Sequence, residues 1–184
     1  MNPSSPPAAG VPALSRRLVR LVRGLCVLGG LALLAVPLWF WTSPDAVHAL
    51  APEFAGVQAV TVDARALTLG ALLSIAPVAL GLYTLAQLWR LFGEYGAGRV
   101  FGRPALAHLR RFAWALLAGA LLAPLVRAAG SVVLTLGNPP GQRHLVVGLS
   151  WNDYLGVLLA VVLIAIATVM AEAVRVAEEN QGFV

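Results

Sequence analysis

Charged residues are absent from four long blocks of this chain. Residues 24–41, 66–89, 112–126 and 154–171 carry none, and each block is dominated by Leu, Ala and Val. A helix that crosses a hydrocarbon core of about 30 Å needs about 20 predominantly apolar residues. The blocks therefore predict transmembrane helices at about 24–41, 66–89, 112–136 and 154–172, the third interrupted by Arg127. Pro77 falls near the middle of the second, where a missing backbone donor should kink it. Trp39, Phe40 and Trp41 close the first block as an interfacial aromatic belt, and Trp89 closes the second.

Between the blocks the pattern changes. Residues 1–13, rich in Pro, Ser, Ala and Gly, read as a disordered tail; residues 14–184 read as a single four-helix membrane domain. Residues 42–65 are polar, with Asp45, Glu53 and Asp63. Within them, residues 57–62 are rich in β-branched side chains, and residues 144–150 alternate apolar with polar. Together these two stretches suggest a short two-stranded element on the outer side. In residues 90–111, Gly93, Gly96, Gly98, Gly102 and Pro104 are expected to interrupt helix, which restarts near Pro104. The predicted fold is an all-α membrane protein, with four transmembrane helices arranged as two hairpins of the same orientation.

Charge sets the orientation. Of the thirteen basic residues, all arginine, four precede the first block, five lie in residues 90–111 and one follows the fourth block. Only Arg65 and Arg143 lie on the other side. Such asymmetry places the tail, residues 90–111 and the C-terminus in the cytoplasm. Ser15-Arg16-Arg17 before an apolar run is similar to a secretion signal. The run exceeds the usual signal core of about 7–15 residues, so an uncleaved first helix is expected.

Composition agrees. The chain is 59% hydrophobic and 11% charged, against about 25% charged in a soluble domain, and its mean hydropathy is +0.82. The basic residues cluster beside apolar spans instead of covering a soluble face, which argues against direct nucleic-acid binding. Cys26, alone in the first block, reads as a small apolar thiol.

The two halves echo each other. LALLAVPL at residues 31–38 resembles AGALLAPL at 118–125, LGALL at 69–73 resembles LGVLL at 155–159, and Arg90 and Glu94 match Arg175 and Glu179. A duplication would imply a pseudo-two-fold axis along the membrane normal.

Two short motifs carry a family resemblance. The first comprises Leu91-Phe92, Tyr95, Gly98, Val100-Phe101, Leu109-Arg110-Arg111 and Trp114. The second comprises Glu172-Ala173, Glu178-Glu179-Asn180 and Phe183-Val184. Together they resemble a family of bacterial four-helix membrane proteins of unknown function, domain of unknown function 2975, over roughly the whole chain after the tail. Some members carry asparagine shortly after the Phe101 position, where this chain has Pro104-Ala105. The resemblance implies no activity. That some members are encoded beside small helix-turn-helix regulators implies a signalling or regulatory role with such a partner.

Catalytic signatures are missing: there is no G-x-x-x-x-G-K-[ST], H-E-x-x-H or G-x-S-x-G. No cofactor, metal or enzymatic activity is expected. His48 and His144 fall in outer loops and His108 on the inner side. Arg127, halfway along the third block, is the exception to its surroundings, because a centred arginine costs about 2.5–3.5 kcal/mol on insertion scales. Either it snorkels to the outer interface, or it pairs with Asp63 or Asp153 at the outer mouth. Candidate interaction or structural residues are Arg90, Tyr95, Gly98, Phe101, Arg110, Arg111, Arg127, Glu178, Glu179 and Asn180. The expected function is a non-enzymatic sensory or regulatory membrane module. Its cytoplasmic docking face would be residues 90–111 plus the C-terminal EENQGFV. The alternative is a small transporter or channel subunit, acting as a homo-oligomer, with Arg127 near the pathway.

Overall fold

A computed structural model describes residues 16–55, 63–139 and 145–181. The expected tail falls outside them. The described residues form five helices: α1 (Arg16–Thr42), α2 (Pro44–Ala55), α3 (Ala64–Gly96), α4 (Arg103–Thr135) and α5 (Trp151–Gln181). Four of these, all but α2, are long and apolar enough to cross a membrane. This is an all-α, multi-pass membrane protein. Leu21, Leu28, Leu72, Leu125 and Val169 are exposed, as lipid-facing side chains should be.

Each helix is longer than its apolar block. At 1.5 Å per residue, 33 residues extend about 50 Å, well beyond a hydrocarbon core of about 30 Å. The excess in α3 and α4 is the arginine-rich stretch itself. Gly93 and Gly96 lie within α3 and do not interrupt it. Only residues 97–102 form the turn. Gly98, at φ +77°, supplies the left-handed step. The Arg99 amide donates to the Glu94 carbonyl at 3.0 Å and the Gly98 amide to that of Tyr95 at 3.1 Å, the two bonds of a Schellman cap. Gly102 caps α4 and Pro104 sits in its first turn, as the sequence leads one to expect.

α2 lies in a segment expected to be polar loop. The signal was Ser43-Pro44-Asp45: Pro44 has no amide to leave unbonded at a helix start, and Asp45 suits the positive end of the helix. Val47 donates its amide to the Ser43 carbonyl at 3.1 Å. Val47 and Ala51 are fully buried against Leu134, with Phe40, Trp41 and Leu67 around them, so α2 packs over one end of α1 and α4. The expected two-stranded element is not found among the described residues. Residues 145–150 are irregular, and the Val146 amide donates to the Ser131 hydroxyl at 3.0 Å instead of to a strand partner. Residues 57–62 lie outside the described set.

The spanning helices pack in the order α1, α3, α4, α5, and α1 has no extended contact with α5. A two-fold axis relating the halves would carry the α3–α4 contact onto an α5–α1 contact. Its absence removes the symmetry that the echoed sequences suggested. Between α1 and α5, over a floor of α3 and α4, lies a cleft of about 830 Å³.

One close approach sets the α1–α3 spacing. A Cβ on Gly70 would meet the Trp41 ring at 2.1 Å, and that ring donates from Nε1 to Ser74 Oγ at 2.8 Å. Gly70→Ala should therefore displace the indole, break its hydrogen bond and cost about 1–3 kcal/mol. Thermal unfolding of the detergent-solubilised variant, with tryptophan emission as a second readout, would check this.

Candidate functional site

Polar chemistry collects at the two ends of the helix row. At the α2 end, Ser150 precedes α5 and Asp153 stands three residues on. The Ser150 amide donates to Asp153 Oδ2 at 2.7 Å, and the Asp153 amide donates to Ser150 Oγ at 3.2 Å. This reciprocal pair is a capping box, and it fixes the carboxylate in place. Arg127, from α4, meets it in a fork. Nη1 donates to Oδ1 at 3.1 Å, Nη2 donates to Oδ2, and Nη2 also reaches the Gly148 carbonyl at 3.4 Å. Of the two partners expected for Arg127, Asp153 is the one it has. Asp63 is occupied elsewhere, accepting from the Ala66 amide at 2.7 Å as the N-cap of α3. Asp153 is buried while the Arg127 side chain stays 38% exposed, so the pair lies at a mouth and is not sealed in a core. It lines the same cleft as Pro77.

At the opposite end the turn and the C-terminal half of α5 come together. Arg103 donates to Glu178 through Nε at 3.2 Å and Nη2 at 2.6 Å, joining the start of α4 to the last turns of α5. Arg99 Nε donates to Glu94 at 2.7 Å, bracing the Schellman turn. Within α5, Arg175 binds both Glu172 and Glu179. All four acids at this end are thus engaged. Arg90, Arg110 and Arg111 are exposed and make no ion pair among the described residues.

Inside that end, Leu91, Ala105, Leu109 and Ala167 form a small core, with Tyr95 and Met170 packed against it. His108 is half-buried in α4, within the helix expected to restart near Pro104, and bonds buried Gln87 of α3 through Nδ1 at 2.8 Å. His48 lies in α2, not in a loop, and His144 is outside the described residues. Among the described residues no group of three metal-ligating side chains occurs.

The family described as protein of unknown function (DUF2975) matches residues 42–182. The chain belongs to that family. The match begins at the last residue of α1, so it leaves out the first span that the resemblance was expected to include. No curated protein and no solved structure matches the chain.

The motif residues that mark the DUF2975 resemblance divide by environment. Tyr95 packs inward and Gly98 makes the turn; Phe101, Arg90, Arg110 and Arg111 are exposed. Glu178 and Glu179 are tied to Arg103 and Arg175, and Asn180 lies in the last turn of α5. Among the opposite charges that the sequence sets on this side, Arg99, Arg103, Arg110 and Arg111 against Glu178 and Glu179, it is Arg103 that meets Glu178. Nothing in the sequence tied Gln87 to His108.

Two predictions follow from these geometries. Asp153→Asn keeps an oxygen for the Ser150 amide and removes the charge that Arg127 binds. A cycle of Arg127→Leu, Asp153→Asn and the double variant should show a coupling of about 1–3 kcal/mol in unfolding free energy; additive effects would mean the pair does not hold α4 to α5. The second prediction concerns pH. The Arg103 guanidinium holds the Glu178 carboxyl below its ordinary value of 4.5. A carboxyl whose pKa is lower folded than unfolded stabilises above the unfolded value, and that contribution is lost as pH falls through the folded value. A spin label at Val176 should therefore gain mobility as pH drops below about 4.5. In Glu178→Gln it should be mobile already at neutral pH.

Proposed function

We propose that this protein is a non-catalytic regulatory module of the bacterial cytoplasmic membrane. Both chain ends and the 97–102 turn would be cytoplasmic, and the face around that turn docks an acidic cytoplasmic protein. The orientation rests on the arginine asymmetry. The observation that carries the docking reading is the uneven use of charge at that end. Glu94, Glu172, Glu178 and Glu179 are all consumed internally, which leaves Arg90, Arg110 and Arg111 exposed at the end that also exposes Phe101. Exposed arginine and aromatic side chains are residue types enriched in protein interfaces. The face is therefore cationic, where the sequence had suggested a mixed one that included the C-terminal acids.

A second reading, a small transporter or channel subunit acting as a homo-oligomer, draws on a different observation: Pro77 and Arg127 line one cleft. Apart from Thr84, its polar groups are Arg127, Ser150, Asn152 and Asp153, and the remainder is Leu, Ala, Val, Gly and Pro77. That lining suits an amphipathic solute better than an ion.

Gentle-detergent affinity purification tests the first reading, comparing wild type with a Phe101→Ala/Arg110→Ala/Arg111→Ala variant whose unfolding temperature matches it. An acidic soluble protein should be recovered with wild type and lost with the variant. Once purified, it should rebind with an affinity that falls as salt rises. Recovery of the chain alone, or only as a homo-oligomer, would overturn the docking reading. Solute uptake into liposomes that Arg127→Leu abolishes would then favour the second.

A further inference from the structure

Arg16, Arg20 and Arg23 are spaced i, i+4 and i+7 at the start of α1 and so share one helical face. That face looks onto the end of α3 and the residue after it, where Gly93, Gly96 and Ala97 carry almost no side chain. The result is an open-sided pocket of about 610 Å³ lined by these six residues and Val19. The guanidinium of Arg23 lies over the Trp89 ring, 4.6 Å from its centroid. Its Nη2 lies 2.7 Å from where a Gly93 side chain would begin, so the glycine makes room for the cation. Arg23 Nε is buried and has no acceptor among the described residues. Arg20 Nε reaches only the Arg16 carbonyl, at 3.3 Å. The one acid in this part of α3, Glu94, is held by Arg99 on the turn. Three cations thus converge on a pocket with no carboxylate of its own among the described residues.

Charged donors that converge without a counter-charge suit an oxyanion. Phosphate is the oxyanion a membrane surface presents at this depth, and exposed Leu21, Leu25 and Leu28 continue along α1 as a surface for acyl chains. We infer that this pocket binds the phosphate of an anionic phospholipid headgroup. Its residues are separate from those of the docking face, so either reading can fail alone. Arg17 provides the control: it sits at the same helix end, is exposed, and does not line the pocket.

Native mass spectrometry of the full chain, released from nanodiscs of equal phosphatidylglycerol and phosphatidylcholine, tests the inference. Wild type should retain phosphatidylglycerol preferentially. Arg20→Gln and Arg23→Gln should each lower that retention about fivefold, and Gly96→Leu should lower it by filling the pocket. Arg17→Gln should leave it unchanged. Unfolding temperatures measured alongside separate loss of the site from loss of the fold, and Arg16→Gln, at an exposed position, gives a second variant should Arg23→Gln unfold. Equal retention of the two lipids, or an Arg17→Gln loss as large as that of Arg20→Gln, would overturn the site, because general surface attraction would then suffice. Protection by inorganic phosphate without preference for phosphatidylglycerol would overturn the lipid source and leave a soluble phosphate as the ligand.

Discussion

Lipid tails are as apolar as leucine, so an apolar side chain gains little by leaving lipid for a neighbouring helix. What holds the helices of this chain together must then be close approach and polar bonds, and the few polar groups do fall where helices meet. The α1–α3 pair is fastened at one end by the Trp41 indole on Ser74, seated over Gly70. At the other end it is fastened by Arg23 over Trp89. The α4–α5 pair is fastened by Arg127 with Asp153 at one end and Arg103 with Glu178 at the other. Between the pairs, α3 and α4 share the Gln87–His108 bond and the six-residue turn.

This arrangement accounts for the cleft. Each pair is fastened within itself, and α3 and α4 join the pairs, but no polar bond links α1 to α5 among the described residues. With no hydrophobic gain to draw those outer helices together, the row stays open on one side. The Arg127–Asp153 pair is also held to its place by the backbone. The capping box orients the same carboxylate that Arg127 binds, so the α5 helix start and the ion pair are one structure. A charge deep in an apolar block is tolerated here because α4 carries it to the level of the α5 N-terminus, where a fixed carboxylate accepts it and its side chain stays part-exposed.

Most of the fold was legible in the sequence because lipid imposes so coarse a pattern. Four uncharged blocks of the right length leave the chain little choice. The turn was legible in part: Gly98 and Pro104 behave as their chemistry requires, whereas Gly93 and Gly96 continue the helix because nothing beside them calls for a left-handed step. Short amphipathic structure was harder to read. α2 is mostly apolar but too short to span and carries two prolines, Asp45 and Glu53, and its burial depends on Leu134, far away in the chain. The strand reading did not hold for residues 145–150, for a related reason. Alternation speaks for a strand only if a partner strand lies alongside, and the Val146 amide found the Ser131 hydroxyl. At the functional ends, residue types pointed to the right places without giving the pairings. Arg127 stood out at once, yet choosing Asp153 over Asp63 needed the knowledge that each aspartate caps a different helix.

The internal echo of the two halves can be weighed in the same terms. Matching LALLAVPL with AGALLAPL aligns α1 with α4, and matching Arg90 with Arg175 aligns the end of α3 with the end of α5. The aligned ionic residues nevertheless do different work. Arg175 is bound to Glu179 within one helix, whereas Arg90 is exposed and Glu94 belongs to Arg99 across the turn. The DUF2975 match also begins only as α1 ends. α1 thus stands apart from its apparent counterpart in packing, in ion pairs and in family coverage, and it alone brings a run of arginines against the small residues of α3. The two halves share an apolar rhythm that any spanning helix could produce. Their polar residues, which fix where each helix is held, follow separate designs.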